Sequence, residues 1–298
     1  MRSLLLVLEY DGTDYAGFQV QPGQRTVQRD VESALARVTG ERIRIDGAGR
    51  TDSGVHATGQ VASLTTGSRL DDETLLRALN ACLPSDVAVR LAREVPEGFH
   101  ARYSARSRVY LYRVWSAAVR SPLWRQYSHY WPRPLDLGAV ETAAVALVGT
   151  HDFASFAGSA DPSRAEARTT VRTIIRLECR RRGSLVEIEV EANAFLPRMV
   201  RNIVGTLLLV GSGKLRVEQV GEILEAKSRA LAGPTAPPDG LCLVGVRYPP
   251  AALGETRDAM PGGALGWPLS YVPFVAPTGE IESQWRQDET PDDARSKR

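Results

Sequence analysis

The stretch from Arg42 to Thr65, RIRIDGAGRTDSGVHATGQVASLT, decides how this chain is read. Arg42 to Asp46 is a short β-like run and Gln60 to Thr65 is another, and between them Gly49 to Gly59 has neither helical nor strand periodicity. That loop gathers an arginine, an aspartate and a histidine. Glycine admits backbone conformations closed to other residues, so Gly47, Gly49 and Gly54 predict a tight, fixed turn around Asp52. Arg50 brings a planar guanidinium toward a carboxylate or a phosphate. Spacing alone leaves two readings open: a functional site, or a hairpin-like turn in which Asp52 caps backbone amides and Arg50 makes a surface ion pair.

Working outward, Leu4 to Glu9 reads as a buried strand, and Val27, Val31, Leu35 and Val38 recur at helical spacing up to Gly40. After the loop, Asp71 caps a helix carrying Leu75, Leu76 and Leu79, and Val87 to Ala92 is one more strand. The order is βαββαβ. From Arg108 the same order returns: a strand at Val109 to Trp115, a helix from Asp136 to Val148, strands at Val171 to Arg180 and Leu185 to Ala192 joined at Gly183, a helix from about Pro197 to Val210, and a strand at Leu241 to Tyr248. The fold expected is α+β. Two ferredoxin-like halves, residues 1–105 and 106–250, would form a central mixed, mainly antiparallel sheet flanked by helices, with a cleft between them. Ala230 to Asp239 is rich in Pro and Gly and reads as a loop entering the last strand. Residues 251–298 read as a largely irregular, inert tail, with docking of part of it through Trp267, Tyr271, Phe274 and Trp285 as the alternative.

At 298 residues and 43% hydrophobic content, the chain can bury a core without staples. Cys82, Cys179 and Cys242 form no CxxC pair and the N-terminus turns acidic too soon for a signal peptide, so a reducing cytoplasm is expected. No apolar run approaches the roughly 18 residues that span a membrane. His56, His100, His129 and His151 make no HxxxH or HxH pair, which speaks against a histidine-rich metal site. The net charge of +2 is uneven: residues 1–250 carry 32 basic against 27 acidic side chains, and the tail carries five against eight. All but Lys214, Lys227 and Lys297 of the basic residues are arginine, a bias that genome composition explains as readily as phosphate recognition. A moderately basic body is compatible with a polyanionic partner.

Three further segments carry candidate chemistry. Phe99 to Trp115, FHARYSARSRVYLYRVW, interleaves Arg102, Arg106, Arg108 and Arg113 with Tyr103, Tyr110 and Tyr112, a mixture that stacks bases while neutralising phosphates. Period two puts Tyr110 and Tyr112 on one strand face; taken alone, the segment reads first as an ordinary amphipathic strand with half-buried tyrosines. In Ala192 to Gly211, ANAFLPRMVRNIVGTLLLVG, Arg198 and Arg201 lie three residues apart on the first helical turns, where clustered positive charge implies an anion or a capping carboxylate. Glu9 to Pro22 offers Tyr10, Tyr15, Phe18, Gln19 and Gln21 as RNA contacts or as cover for a core edge. GAGRT is no phosphate loop, since Arg50 stands where a Walker motif needs Lys and Arg44 where it needs Gly. Neither GxSxG nor HExxH occurs.

GAGRTDSGVHATGQV, FHARYSARSRVYLYRVW, NAFLPRMVRNIVGTLLLVG and GLCLVGVRYP, in that order, closely resemble the TruA family of tRNA pseudouridine synthases. The match runs from about Leu4 to Pro249, and RTDSGVHA is highly specific. The resemblance implies a cofactor-free homodimeric isomerase that makes pseudouridine at positions 38, 39 and 40 of the tRNA anticodon arm, with its cleft between two sub-domains. The aspartate of the family's RTD motif falls on Asp52, the nucleophile. The tyrosine of its YxY strand falls on Tyr110, and the arginine of MVRN on Arg201. Arg50, Arg102 and Arg198 would hold phosphates or loops, and Gln19 would contact RNA. Where members commonly read GWQxQ, this chain has Gly17, Phe18, Gln19, Val20 and Gln21, and Val20 replaces a frequent basic residue. Two other classes remain as alternatives: a non-catalytic tRNA-binding protein, and a nucleotide hydrolase, which would need a carboxylate cluster or phosphate loop that the sequence lacks.

Overall fold

The computed structural model describes residues 1–158 and 169–254. The N-terminal apolar run becomes β1 (Arg2–Tyr10), which buries Leu4, Leu6 and Leu8 on one face and Leu5 and Val7 on the other. There follow α1 (Val27–Thr39), ended at Gly40, then β2 (Asp46–Gly47), β3 (His56–Thr66), α2 (Asp72–Cys82) and β4 (Val87–Val95). Asp71 caps α2 by accepting the Thr74 N–H. The second half runs β5 (Ser107–Ser116), β6 (His129–Trp131), α3 (Leu137–Val145), β7 (Gly149–Asp152), β8 (Val171–Arg182), β9 (Leu185–Ala192), α4 (Met199–Gly211), α5 (Gln219–Ala226) and β10 (Leu241–Arg247).

The ten strands among the described residues join one sheet in the order β4-β1-β3-β10-β5-β9-β8-β7, with β2 paired to β3 and β6 to β5. Taken by halves, β4-β1-β3-β2 and β10-β5-β9-β8 repeat one arrangement, fourth strand, first, third, second. This is the split βαβ duplication that element order implied. The pairing is antiparallel except between β10 and β3 and between β5 and β6. Because β2 is only two residues long, it occupies β3 at Ala62 and Ser63 and leaves His56 and Ala57 free to pair with Cys242 and Leu243 of β10. The halves therefore meet along β3 and β10.

One hydrophobic core lies under helices α1 to α5 and spans both halves. On the opposite face of the first half a smaller core gathers Leu5, Val7, Val61, Tyr248 and Leu253. On the opposite face of the second half, Glu187, Glu189 and Glu191 alternate with core-facing Val186, Ile188 and Val190 and pair with Arg113, Arg176 and Arg247. Among the described residues no helix is long and apolar enough to cross a membrane.

Several boundaries differ from the sequence reading. The strand expected at Arg42 to Asp46 shrinks to β2, although Ile43 and Ile45 are buried. Ile45 satisfies its backbone without a ladder: its N–H donates to Glu32 Oε1 and its carbonyl accepts from Gln28 Nε2, each at 3.1 Å, both from α1. The strand expected from Gln60 starts four residues earlier, at His56. The helix expected from Pro197 starts at Met199, because Arg198 is left-handed, with φ 58°. Strands β6 and β7, of three and four residues, are too short to show a period. After Pro250 a 3-10 turn buries Leu253; the irregular tail and its aromatics lie, from residue 255, outside the described residues.

His56, at the junction of the halves, is buried against Tyr127, and its Nδ1 accepts the Gly12 N–H at 3.1 Å. Burial pushes its pKa below the ordinary histidine value, outweighing Asp11 at 3.2 Å, and burial does the same to His129. The unfolded chain then binds more protons than the folded one below about pH 6.5, so stability is full above that pH and falls as the solution acidifies. Replacing His56 by Gln is expected to flatten part of the loss between about pH 7 and pH 5, followed by urea denaturation. An unchanged slope would contradict a buried, neutral His56.

Candidate functional site

Residues 48–55 join β2 to β3, and nearly every turn of this loop is tied down. The Ala48 N–H donates to the Val61 carbonyl at 2.8 Å, and Gln60 Nε2 donates to the Gly49 carbonyl at 2.7 Å. Thr51 accepts the Phe18 N–H at its carbonyl and shares a 2.8 Å hydrogen bond with the Tyr10 hydroxyl. Ser53 Oγ and the Gly54 N–H both donate to the Tyr15 carbonyl. The Val55 N–H returns to the Asp52 carbonyl, closing a turn whose third residue, Gly54, has φ 78°. Glycine alone is at ease there, and a Cβ would also sit 2.8 Å from Pro238 Cγ. The loop is a rigid mount, and the Asp52 side chain, 38% exposed, projects from it.

The partner of Asp52 comes from the other half. Arg201, in the first turn of α4 and 14% exposed, places NH1 3.2 Å from Asp52 Oδ2. Arg201 is fixed in turn by Ala236: its Nε donates to the Ala236 carbonyl at 2.7 Å, and its own carbonyl accepts the Ala236 N–H at 3.1 Å. The Pro- and Gly-rich segment around Ala236 is thus a strap. It lies so close to α4 that a Cβ on Gly205 would sit 1.7 Å from the Pro234 carbonyl oxygen. Buried Asn202 accepts from Thr235 Oγ1 and from Arg229, and Tyr112 donates its hydroxyl to the Pro237 carbonyl at 2.9 Å. Pro238 then packs on Gly54, so one strap positions both the arginine and the aspartate loop. Composition hid this role. The glycine in the middle of an apolar helix, Gly205, was its one sequence signal.

Tyr110 is buried with its ring edge-on to Phe195, centroids 5.1 Å apart, and its hydroxyl lies against Gly49. Burial, then Tyr10 and the negative charge of Asp52, push its pKa up, so it stays a neutral phenol. Tyr10, Tyr15 and Tyr112 are core residues and not cleft contacts, whereas Phe18, buried in the same core, also lines the cleft. Arg108, grouped by sequence with phosphate-binding arginines, is 8% exposed and serves the backbone. Its Nε and NH2 donate to the Ala48 carbonyl at 3.1 and 2.9 Å, NH1 to the Asn193 carbonyl at 2.9 Å, and NH2 also to the Arg102 carbonyl. Burial lowers its pKa. Arg108 joins the Asp52 loop to the end of β9 and to the turn bearing Arg102.

These parts face one cleft of about 1030 Å³ lined by both halves. Arg50, Arg102 and Arg198 are exposed on its walls, and Gln19 lines it half-buried. Among the described residues seven arginines line the cleft against two carboxylates, Asp46 and Asp52, a balance that suits a polyanion. Among the described residues no three or more His, Cys, Asp or Glu side chains gather as a metal site would need. A single carboxylate, held against a fixed guanidinium in a basic cleft, is equipped for nucleophilic attack or proton abstraction.

A family model described as tRNA pseudouridine synthase matches residues 6–104 and 143–249. A tRNA pseudouridine synthase A of Chloroflexus aurantiacus is 49% identical over 253 residues, covering 85% of this chain and 91% of that protein. One of Bordetella petrii is 46% identical over 278 residues, covering 91% and 100%. One of a Thermoanaerobacter species is 43% identical over 248 residues, covering 83% and 100%.

The bracing of the loop is open to direct measurement. Replacing Arg108 by Met strips buried carbonyls of their donor, at about 1–3 kcal/mol per unsatisfied group. Arg108→Met is expected to lower the unfolding free energy in urea by about 2 kcal/mol or more, with Arg108→Lys recovering part of the loss. Wild-type stability in Arg108→Met would contradict the bracing role.

Proposed function

This chain belongs to the tRNA pseudouridine synthase family, a family of isomerases, and we propose that it converts uridine to pseudouridine at positions 38, 39 and 40 of the tRNA anticodon arm with Asp52 as nucleophile. The observation that carries this reading is the 3.2 Å contact between Arg201 and Asp52, residues from opposite halves, inside an arginine-walled cleft. The name shared by the relatives supplies the substrate class.

The reaction rearranges one nucleotide with no net reactant. The bond from uracil N1 to the sugar breaks, a bond from carbon 5 to the same sugar carbon forms, carbon 5 loses a proton and N1 gains one. A uridine in the anticodon arm is stacked and partly paired, so it must first be extruded, at a cost of a few kcal/mol. The basic walls hold the flanking phosphates; Arg50, Arg102 and Arg198 take phosphate or loop-positioning roles and Gln19 an RNA contact. Asp52 then attacks the flipped nucleotide or takes a sugar proton. Both routes break the glycosidic bond, and both need one carboxylate in this place. Arg201, fixed by Ala236, orients that carboxylate. Tyr110 packs against the freed base as it turns. Since burial keeps its hydroxyl protonated, a transfer of the carbon 5 proton to Tyr110 requires its own proton to leave first. In this reading the enzyme works as a homodimer in the cytoplasm, without a cofactor.

Purified Asp52→Ala is expected to fold and bind tRNA yet release no tritium from tRNA labelled at uracil carbon 5. Measurable release would remove Asp52 from the role. A wild-type protein that binds tRNA but leaves its nucleosides unchanged would instead be a non-catalytic binder. Tyr110→Phe is expected to slow the chemical step with binding mostly kept. Loss of binding in that variant, with the fold intact, would make Tyr110 a binding residue first.

A further inference from the structure

We propose that Tyr103, with His100 and Arg102, forms a stacking ledge at the rim of the cleft that takes an unpaired nucleobase of the RNA strand next to the target uridine. The ledge rests on the reading of the cleft as an RNA site. Tyr103 is 74% exposed, and no other Phe, Tyr or Trp among the described residues comes near that value. Single exposed apolar side chains are ordinary on a protein surface. What distinguishes Tyr103 is its mount and its place.

The mount is a turn with little freedom to fold the ring away. Ala101 is fully buried; its N–H donates to Ser63 Oγ at 2.9 Å and its carbonyl accepts the Tyr248 hydroxyl at 2.6 Å. His100 and Ser104 exchange two hydrogen bonds, and the Arg102 N–H donates to His100 Nδ1 at 3.1 Å. Arg108 holds the Arg102 carbonyl from below. On this base the His100 and Tyr103 rings lie 4.4 Å apart and tilted by 48°, and the Arg102 guanidinium sits 5.5 Å from the Tyr103 ring centre. At its exposure, the tyrosine still has an open face.

The place is the cleft that holds Asp52, since His100, Arg102 and Tyr103 all line it. A second groove of about 360 Å³ shares Arg44, Asp46 and His100 with the cleft and adds Arg42 and Glu41, with Asp46 Oδ2 3.8 Å from His100 Nε2. Arg42 and Arg44 flank buried Ile43 and are themselves exposed. A strand lying over the ledge would thus have cations for its phosphates on both sides and an aromatic face for one base. An aromatic face beside cations is the chemistry of single-stranded nucleic acid sites, and it tolerates any base because every base has a π-face. The ledge therefore holds the strand without reading its sequence.

The test uses an anticodon stem-loop RNA carrying 2-aminopurine, whose fluorescence is quenched by stacking, on the 5′ side of the target uridine in one RNA and on the 3′ side in another. Wild type and Tyr103→Phe are expected to quench one of the two RNAs. Tyr103→Ala is expected to lose that quenching and to bind about 10-fold more weakly or worse. Equal quenching and affinity in Tyr103→Ala, or no quenching of either RNA by wild type, would overturn the ledge. Pseudouridine formation by wild type on the unlabelled stem-loop separates the two claims: if it is present while Tyr103→Ala behaves as wild type, the ledge alone fails. If it is absent while quenching depends on Tyr103, the ledge stands and the enzymatic reading fails.

Discussion

The constraint on which the site depends is the ion pair between Asp52 and Arg201, 149 residues apart in the chain. Its own contribution to stability is small, because Asp52 remains partly open to water and such pairs gain little. Its importance is geometric. To meet, the two residues need the halves joined along β3 and β10, the Asp52 loop fixed by Tyr10, Tyr15 and Gln60, and α4 fixed by the strap at Ala236. Each support comes from a different part of the chain. The duplicated sheet brings those parts to one cleft.

The same supports suit a site that must hold its geometry while a large polyanion enters. Preorganised groups act without reorganising at the moment of reaction, and rigid backing by neighbouring elements is what keeps them in place. Arg108 is the clearest case. A buried guanidinium that donates to three carbonyls joins the aspartate loop, the strand end that leads to Arg201, and the turn that presents Tyr103. A charged side chain thus does structural work directly beneath the cleft, while Arg50, Arg102 and Arg198 are exposed on its walls.

Much of this was legible in the sequence, and the misses have physical causes. The doubled βαββαβ order showed through because buried strands and amphipathic helices write their periods into long segments, as in Leu4 to Glu9 and Val27 to Val38. Asp52, Tyr110 and Arg201 stood out as motif residues, and the cleft brings Gln19, Arg50, Arg102 and Arg198 to the same walls. Arg108 was misread because a strand arginine looks alike in sequence whether it meets phosphates or carbonyls; the carbonyls it meets belong to Ala48, Asn193 and Arg102, which only the fold brings to it. The strap was read as a plain loop because proline and glycine signal irregular backbone without saying what that backbone touches. Ile43 and Ile45 suggested a strand because side-chain burial alternates there, whereas their backbone is served by side chains of α1.

The central proposal, that Asp52 turns uridine into pseudouridine in the anticodon arm, is most directly tested inside cells. Pseudouridine would be mapped site by site in total tRNA from cells carrying the wild-type gene, no gene, or a chromosomal Asp52→Ala allele. The expected result is that pseudouridine at positions 38, 39 and 40 is present with the wild-type gene and missing in both other strains, with the rest of the map unchanged. A map that keeps those pseudouridines in the Asp52→Ala strain would contradict the assignment.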